Sequence, residues 1–227
     1  HSTTASCSTI QRQLRGWDFC PSLFCVLIYN RVIESEKTML EIRPVTLADA
    51  PELVRIYAPY VENTAITFEY DVPTTEEFER RIEKTLQRFP YLVAEENGQV
   101  LAYAYASTYY DRSAYDWAVE VSVYVDQDYL GQGLGSRLYE ALETELEARG
   151  FLRFLACISL PNPASIALHE KRGYVQVAHF PKIGYKFDQW HDIVWMQKPW
   201  MGLSEKYSRR LEMSGQSWQI DYVICPC

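Results

Sequence analysis

A glycine-rich segment in the second half of the chain has the residue types and spacing for ligand chemistry. Gly131, Gly133 and Gly135 alternate with other residues between a strand-like run (118–125) and a helix-like run (136–149). Glycines leave backbone N–H groups unobstructed, and the helix that follows adds unpaired N–H groups of its own. Such an arrangement binds phosphate or pyrophosphate. The sequence therefore predicts a loop that binds a phosphorylated cofactor.

The spacing of these glycines argues against the two best-known nucleotide-binding loops. A dinucleotide fingerprint requires G-x-G-x-x-G where a βαβ unit opens, and a Walker loop requires a lysine. Here the pattern is G-x-G-x-G followed by Ser136, late in the chain and without that lysine. The alternative is a glycine-rich turn that leads into a helix and binds no ligand.

The hydrophobic pattern predicts the elements that must position this loop. The predicted elements are, in order, strand 40–45, helices 47–60 and 75–88, strands 91–95, 100–107 and 117–125, helix 136–149, strand 151–160, helix 163–172, and strands 173–177 and 193–197. Asn97-Gly98 is a strong signal for a hairpin turn. The order βααβββαβαββ predicts one α/β domain, a mixed central sheet with helices on both faces.

Length and composition limit the class of protein. The 227 residues, 48% of them hydrophobic, suffice for one domain with a full core. A net charge of −8 disfavours nucleic acid or an anionic membrane as a partner. The apolar run 23–29 is too short to span a bilayer. We expect a soluble, cytoplasmic protein.

The pattern changes near residue 39 and again near residue 200. Residues 1–38 lack a clear amphipathic period and precede the first methionine, Met39. We expect this segment to be a poorly ordered or non-native extension. The interpretable domain is 39–200, and the weakly patterned residues 201–227 form a C-terminal tail.

The six cysteines predict neither a disulfide framework nor a metal site. Five of them lie in the tails: Cys7, Cys20, Cys25, Cys225 and Cys227. Cys157 lies in the apolar run 154–158, and we expect an inert core thiol there. His179 and His191 have no companion ligands, and so no metal is predicted.

Four stretches of the sequence form a familiar combination. They are IRPVT at 42–46, AYDWAVE at 114–120, LGQGLGS at 130–136 and LPNPASIALHEKRGY at 160–174. Together they resemble the GCN5-related N-acetyltransferases (GNAT), and within them the phosphinothricin and methionine sulfoximine acetyltransferase branch. The resemblance covers 42–198. It implies a single GNAT-type domain that transfers an acetyl group from acetyl-CoA to an amine, without a metal.

The resemblance also implies which residues hold acetyl-CoA. The pyrophosphate would lie on Gly131, Gln132, Gly133, Leu134, Gly135 and Ser136, and the pantetheine arm along the backbone of Val123, Tyr124 and Val125. Asn162 could cap a helix, touch CoA, or do both. Lys171 is either a ligand of the 3′-phosphate or an ordinary exposed lysine. Leu130 stands where the family usually has Arg or Gln, so we expect a weaker electrostatic attraction for the pyrophosphate.

Two residues are candidates for proton transfer, as the resemblance implies. An amine must lose a proton before it attacks a thioester, and Glu120 is the candidate general base. Burial in an apolar strand would raise the pKa of this carboxyl toward the working pH. The alternative is a strand-end carboxylate in an ordinary hydrogen bond. His169 is the candidate general acid or polar positioner, with a purely structural histidine as the alternative.

The resemblance places the amine acceptor among aromatic residues in the middle of the chain. The matching positions are Phe68, Tyr105, Arg112 and Tyr115. Arg112 would bind a substrate carboxylate or phosphinate. The alternative is an arginine that pairs with Asp111 or Asp116.

The sequence therefore predicts acetylation of the α-amine of a small amino acid analogue such as phosphinothricin, methionine sulfoximine or methionine sulfone. Direct transfer is favoured over an acyl-enzyme, because Cys157 is expected to be buried. Acetylation of a protein N-terminus or another amine is one alternative. A CoA-binding regulatory module without turnover is another. The branch resemblance also implies a homodimer.

Overall fold

The computed structural model describes residues 40–198. The strands are β1 (Glu41–Pro44), β2 (Tyr91–Glu96), β3 (Gln99–Thr108), β4 (Ala118–Val125), β5 (Arg153–Ser159), β6 (Val175–Lys186) and β7 (Gln189–Lys198). The helices are α1 (Ala50–Asn63), α2 (Thr75–Leu86), α3 (Leu134–Ala148) and α4 (Pro163–Lys171). The expected extension 1–38 and tail 201–227, with their cysteines, lie outside the described residues.

The described strands form one mixed sheet in the order β1-β2-β3-β4-β5-β7-β6. Neighbouring strands are antiparallel except β4 and β5, which are parallel. The order of helices and strands along the chain is βααβββαβαββ, as predicted. The single mixed α/β domain expected from the sequence is confirmed.

Helices cover both faces of the sheet because each strand buries alternate side chains on opposite sides. On one face α3 packs against an aliphatic cluster that includes Leu138, Val119 and Ile158. On the other face α1 and α2 pack against a cluster rich in tyrosine, with Tyr57 and Tyr103 among its members. The site residues are thus carried by a strand layer that is fixed from both sides.

Local signals explain most element boundaries. The side chain of Thr74 caps α2 by accepting a hydrogen bond from Glu77 N, 3.2 Å away. Asn97 and Gly98 adopt φ angles of 53° and 80°, which make the tight hairpin turn between β2 and β3. The first helix is a 3-10 turn over Leu47–Asp49 before α1 begins at Ala50.

The last hairpin is much longer than the sequence predicts. Strand β6 continues to Lys186 and β7 begins at Gln189, whereas the predicted strands were 173–177 and 193–197. The turn uses positive φ angles at Phe187 and Asp188, 51° and 56°, without a glycine. Because glycine and asparagine are the usual signals for such a turn, the sequence did not reveal it.

Candidate active site

A cleft opens between β4 and β5 because the two strands pair over only part of their lengths. Strand β4 pairs with β3 along its whole length, but with β5 only where Ala118–Glu120 meets Arg153–Leu155. From Val121 onward the edge of β4 has no strand beside it. Backbone polar groups on this edge are therefore open to other partners.

Two tyrosine hydroxyls bind this open edge and show which way its backbone points. The Tyr139 hydroxyl lies 3.3 Å from the carbonyl oxygen of Val121, and Tyr60 donates to the carbonyl of Val125 at 2.6 Å. Backbone N–H and C=O groups alternate in direction from one strand residue to the next. Val123 lies two residues from both Val121 and Val125, so its N–H and C=O point toward the same edge as theirs. The backbone of Val123 is thus presented to the cleft, as an extended ligand arm would require.

The cleft brings together residues from five parts of the chain. Its walls are Ile66, 121–124 of β4, Tyr139 of α3, 156–159 of β5, and Asn162, Ser165 and His169 of α4. Of the predicted ligands of acetyl-CoA, Val123, Tyr124 and Asn162 are in this wall. His169 is there too, whereas the glycine loop lies at the far end of β4.

The glycine loop has the conformation that its glycines allow. Gly131 and Gly133 have φ angles of 76° and 80°, a region that other residues rarely adopt. Gly133 is the N-cap of α3, which begins at Leu134 rather than at the predicted residue 136. A Cβ at either glycine would meet nothing within 4 Å, so the loop faces open space. The unpaired N–H groups of the first turn of α3 are available to an anion.

Close packing joins this helix start to the end of β4. A Cβ built on Gly135 would lie 3.5 Å from the Leu168 side chain, 3.6 Å from Val123 and 3.8 Å from Val125. The guanidinium of Arg172 donates to the carbonyl of Ser136 at 3.0 Å. The anion-binding end of α3 is therefore fixed next to the open edge of β4.

Asn162 and Lys171 lie at the two ends of α4. The side-chain oxygen of Asn162 accepts a hydrogen bond from Ser165 N at 3.1 Å, which caps the helix. Among the described residues nothing accepts from its NH2 group, which stays available to a ligand. Lys171 is exposed at the last position of α4 and has no ion-pair partner within the described part of the chain.

Glu120 precedes the β4 residues that line the cleft, at the last point where β4 and β5 are paired. It is half-buried, and this burial raises the pKa of its carboxyl. No side chain or backbone group in 40–198 hydrogen-bonds this carboxylate, so the alternative of an ordinary strand-end hydrogen bond does not apply there. A half-buried carboxylate with a raised pKa and no partner has the properties of a general base.

The expectation of a buried core thiol at Cys157 is wrong. Cys157 is exposed, because strand alternation places Ala156 and Ile158 in the core and turns the cysteine to the opposite face. There β4 has separated from β5 and leaves the thiol in the cleft wall. Desolvation by the surrounding protein and the charge of Glu120 raise the pKa of this thiol to about 12. At neutral pH it is a protonated, weak nucleophile.

His169 is buried, and both of its ring nitrogens have partners. Nδ1 lies 2.7 Å from the carbonyl oxygen of Ser165, which can only accept, so Nδ1 carries the proton. Nε2 lies 3.1 Å from the hydroxyl of Tyr139, which must then be the donor. Burial lowers the pKa of this imidazole. The geometry favours the positioner over the general acid, since a neutral ring of this tautomer has no proton to give at Nε2.

Aromatic rings link Glu120 to the other predicted acceptor residues. The charge of Glu120 raises the pKa values of both Tyr105 and Tyr109, although burial is the larger cause. The Tyr109 ring lies 5.9 Å from that of Tyr115 and 5.4 Å from that of Trp195. Sequence reasoning did not assign roles to Tyr109 and Trp195, because nothing local marks them. Only the pairing of β5 with β7, which sets Trp195 opposite Cys157, brings the indole to the site.

Arg112 and Phe68, the other two predicted acceptor residues, lie outside the strands and α-helices. Arg112 is exposed, and within 40–198 its guanidinium has no ion-pair partner. Asp116, one of the two carboxylates proposed to bind it, pairs with Arg88 instead at 2.8 Å. Phe68 belongs to the segment between α1 and α2, and its ring lies 6.2 Å from that of His191.

Within the described residues no cluster of His, Cys, Asp or Glu side chains could hold a metal ion. Over the same residues no helix has the length and apolar composition needed to cross a membrane.

Comparison with known proteins identifies the architecture. The model of the acetyltransferase (GNAT) domain family matches residues 42–195. The phosphinothricin N-acetyltransferase of Streptomyces viridochromogenes is 40% identical over 72% of this chain and 89% of its own length. The L-methionine sulfoximine/L-methionine sulfone acetyltransferase of Pseudomonas aeruginosa is 36% identical over 69% of this chain and 92% of its own. The crystal structure of a phosphinothricin acetyltransferase from Sinorhizobium meliloti in complex with acetyl-CoA is 34% identical and superposes with a TM-score of 0.69, covering 71% of this chain and 88% of that one.

Proposed function

Since the chain belongs to the GNAT family of acetyltransferases, we propose that it acetylates the α-amine of a small amino acid or analogue of the phosphinothricin, methionine sulfoximine or methionine sulfone type. Acetyl-CoA, when bound, supplies the acetyl group as an activated thioester. One observation carries the proposal. A single open strand edge leads from an anion-binding helix start, past Val123, to the unpartnered carboxylate of Glu120.

Backbone groups account for the binding of acetyl-CoA. The N–H groups of Gly131–Ser136 receive the pyrophosphate, where positive φ angles that favour glycine expose them. Val123 offers its N–H and C=O to the amide groups of the pantetheine arm. The NH2 of Asn162 is left free for a further contact, because capping uses only its oxygen. Leu130, which is 53% exposed, contributes no charge, so the backbone provides most of the affinity.

Glu120 prepares the nucleophile. Its carboxylate takes a proton from the ammonium group of the acceptor, directly or through one water, and the nitrogen lone pair then becomes free to attack the thioester carbonyl. The C–S bond breaks as the N–C bond forms, and the second proton lost by the nitrogen goes to the departing thiolate. Burial raises its pKa, which moves this base closer to the working pH. Holding the amine and the thioester side by side in one cleft also increases the rate.

His169 acts through Tyr139. The imidazole fixes the direction in which the Tyr139 hydroxyl points at the wall of the cleft, beside the carbonyl of Val121. This pair keeps the β4 edge and α4 at a constant separation. His169 is therefore a positioning residue in this proposal.

Arg112 selects zwitterions. Its guanidinium has no partner among the described residues, and its planar donors fit a carboxylate or phosphinate through two parallel hydrogen bonds. In this proposal Tyr105, Tyr115 and Phe68 supply aromatic surface for a compact side chain.

Transfer is direct, and the reason differs from the one expected from the sequence. Cys157 is accessible, but its raised pKa keeps it as a thiol, so it is a poor acyl carrier. The two substrates must then be present together.

The exposed edge of the sheet supports a homodimer. Strand β6 pairs only with β7 among the described strands, and Val175, Val177 and Ile183 on it are about half exposed. Long apolar edges of this kind need covering, and we propose that a second copy of the chain covers this one. Light scattering of a Val177→Lys variant should then report a smaller particle than the parent protein. A cytoplasmic location stays a prediction from the sequence.

The first experiment is release of CoA thiol from acetyl-CoA with a panel of acceptors. The panel contains phosphinothricin, methionine sulfoximine, methionine sulfone, the natural amino acids and a peptide with a free N-terminus. Release with one or two compact zwitterions is the expected result. Release only with the peptide would identify a protein acetyltransferase. Tight binding of acetyl-CoA without release for any acceptor would identify a non-catalytic CoA-binding module.

A further inference from the structure

The segment between α1 and α2, residues 64–74, borders the cleft but contains no regular element. It carries Ile66, which lines the cleft, and Phe68, a proposed acceptor residue. Ordering a short irregular segment costs conformational entropy for each residue that is fixed. Something must therefore hold this segment if Phe68 is to have one position before the acceptor arrives.

Lys186, at the end of β6, binds this segment through its side chain. Its side chain is 2% exposed. The ammonium group donates to the carbonyl of Val61 at 2.7 Å and to that of Thr67 at 2.8 Å. The Val61 carbonyl lies in the last turn of α1, and the Thr67 carbonyl lies in the irregular segment. One side chain therefore holds this segment next to the end of α1.

A lysine in this position is unfavourable for stability alone. No described carboxylate lies within ion-pair distance of Lys186, although the charge of Glu69 acts on the ammonium from further away. A buried ammonium without a close counter-charge is among the costlier side chains to place inside a protein. Both of its hydrogen-bond partners are backbone carbonyls, and the Phe187 ring centroid lies 5.0 Å from the ammonium nitrogen. The two hydrogen bonds that offset part of the cost also fix main chain next to the cleft.

Two further contacts fix the same segment on the same hairpin. The hydroxyl of Tyr70 donates to the carbonyl of Tyr185. A Cβ built on Gly184 would lie 2.2 Å from the tip of the Phe68 ring, so the ring occupies the space that only a glycine leaves. Gly184, Tyr185 and Lys186 thus contact Phe68, Tyr70 and Thr67 in turn.

We propose that Lys186 is a positioning residue for the amine acceptor: it holds residues 64–74 on the β6–β7 hairpin and thereby sets Phe68 at the acceptor end of the cleft. The role rests on the proposed acetyltransferase function. It acts on acceptor binding and leaves acetyl-CoA binding unchanged, since among the described residues no hydrogen bond or ion pair joins the glycine loop or Val123 to Gly184, Tyr185 or Lys186.

The test replaces Lys186 with methionine, which keeps the length of the side chain and removes its donors. We expect KM for the amino acid acceptor to rise about tenfold, because part of the binding energy must then order the segment. KM for acetyl-CoA should stay as in the parent protein. Amide hydrogen exchange over 64–74 should become faster, while exchange in β3 and β4 stays slow. Lys84→Met, at an exposed position of α2, is the control and should change none of these values.

A Gly184→Ala variant tests the same point if Lys186→Met does not fold. The new Cβ must displace the Phe68 ring while Lys186 stays in place, and the same rise in acceptor KM is expected. Equal rises in KM for both substrates would show a merely structural lysine and overturn the proposal. Unchanged KM and unchanged exchange over 64–74 would overturn it as well. If the parent protein turns over no amine, the proposed function fails, whereas faster exchange over 64–74 in Lys186→Met still supports the clamp.

Discussion

The two ends of the cleft between β4 and β5 are built from different parts of the polypeptide. At the end proposed for CoA, the binding groups are main-chain N–H and C=O groups of the glycine loop and of Val123. At the end proposed for the acceptor they are side chains: a carboxylate, a guanidinium and several aromatic rings. Backbone sites depend on conformation, so they tolerate side-chain changes such as Leu130. Side-chain sites depend on what each residue carries and on where distant strands bring it.

This difference predicts which substitutions matter at each end. At the CoA end, a change should act through the φ angle it permits. At the acceptor end, a change should act through the charge or ring that it removes. The expected effects decrease from Glu120 through Arg112 and Gly133 to Cys157.

Glu120→Gln should have the largest effect. It keeps the shape of the side chain and removes the base, so kcat should fall by about 10²–10⁴-fold. KM for acetyl-CoA should be unaffected. In the parent enzyme the rate should rise as pH increases through the pKa of Glu120, which burial raises above its usual value, because only the carboxylate accepts a proton. Rate measurements from low to neutral pH should show that this limb is absent in the variant. A variant with full activity at neutral pH would exclude Glu120 as the base.

Arg112→Met should follow. Removing a charged hydrogen-bond donor to a carboxylate should cost about 2 kcal/mol, or roughly 30-fold in KM for the amino acid. The decarboxylated amine of the same acceptor should show no such loss, since it has nothing for the guanidinium to bind. Arg80→Met is a suitable control, because Arg80 is an exposed arginine of α2 paired with Glu77. An equal rise in KM for the amino acid and for its decarboxylated amine would mean that Arg112 does not bind the carboxylate.

Gly133→Ala tests the backbone end. An L-residue at a φ of 80° is strained by about 1–2 kcal/mol, so we expect the Kd for CoA to rise about tenfold. Gly98→Ala is a closely matched control, because Gly98 also has a φ of 80° with open space around it but lies in the β2–β3 turn. Calorimetric titration should show weaker binding for Gly133→Ala only, although both variants should unfold at lower temperature. Parent-like binding by Gly133→Ala would place the pyrophosphate elsewhere.

Cys157→Ser should have the smallest effect, less than about twofold on kcat, because the thiol is protonated at neutral pH. Mass spectrometry of the parent protein mixed with acetyl-CoA alone should show no acetyl group on Cys157. Initial rates with both substrates varied should give intersecting lines, as expected when both substrates bind before transfer. Parallel lines together with a labelled cysteine would favour an acyl-enzyme and overturn direct transfer.

The sequence was most informative where a local signal has one structural meaning. The element order and the Asn97-Gly98 turn were predictable for this reason, since each depends on residues close together in the chain. The glycine loop was predictable too, apart from a two-residue error in where α3 begins. The β6–β7 hairpin was not, because its turn at Phe187 and Asp188 lacks the usual residues.

By itself, the sequence determined the order of helices and strands, the conformation open to the glycine loop and, through the family resemblance, the candidate chemistry. Only the tertiary structure decided that β4 and β5 part after Glu120, that Cys157 faces the cleft and that His169 is held between Ser165 and Tyr139. The physical reason is that periodicity reports which side chains share a face, whereas strand pairing between distant segments decides whether that face is covered.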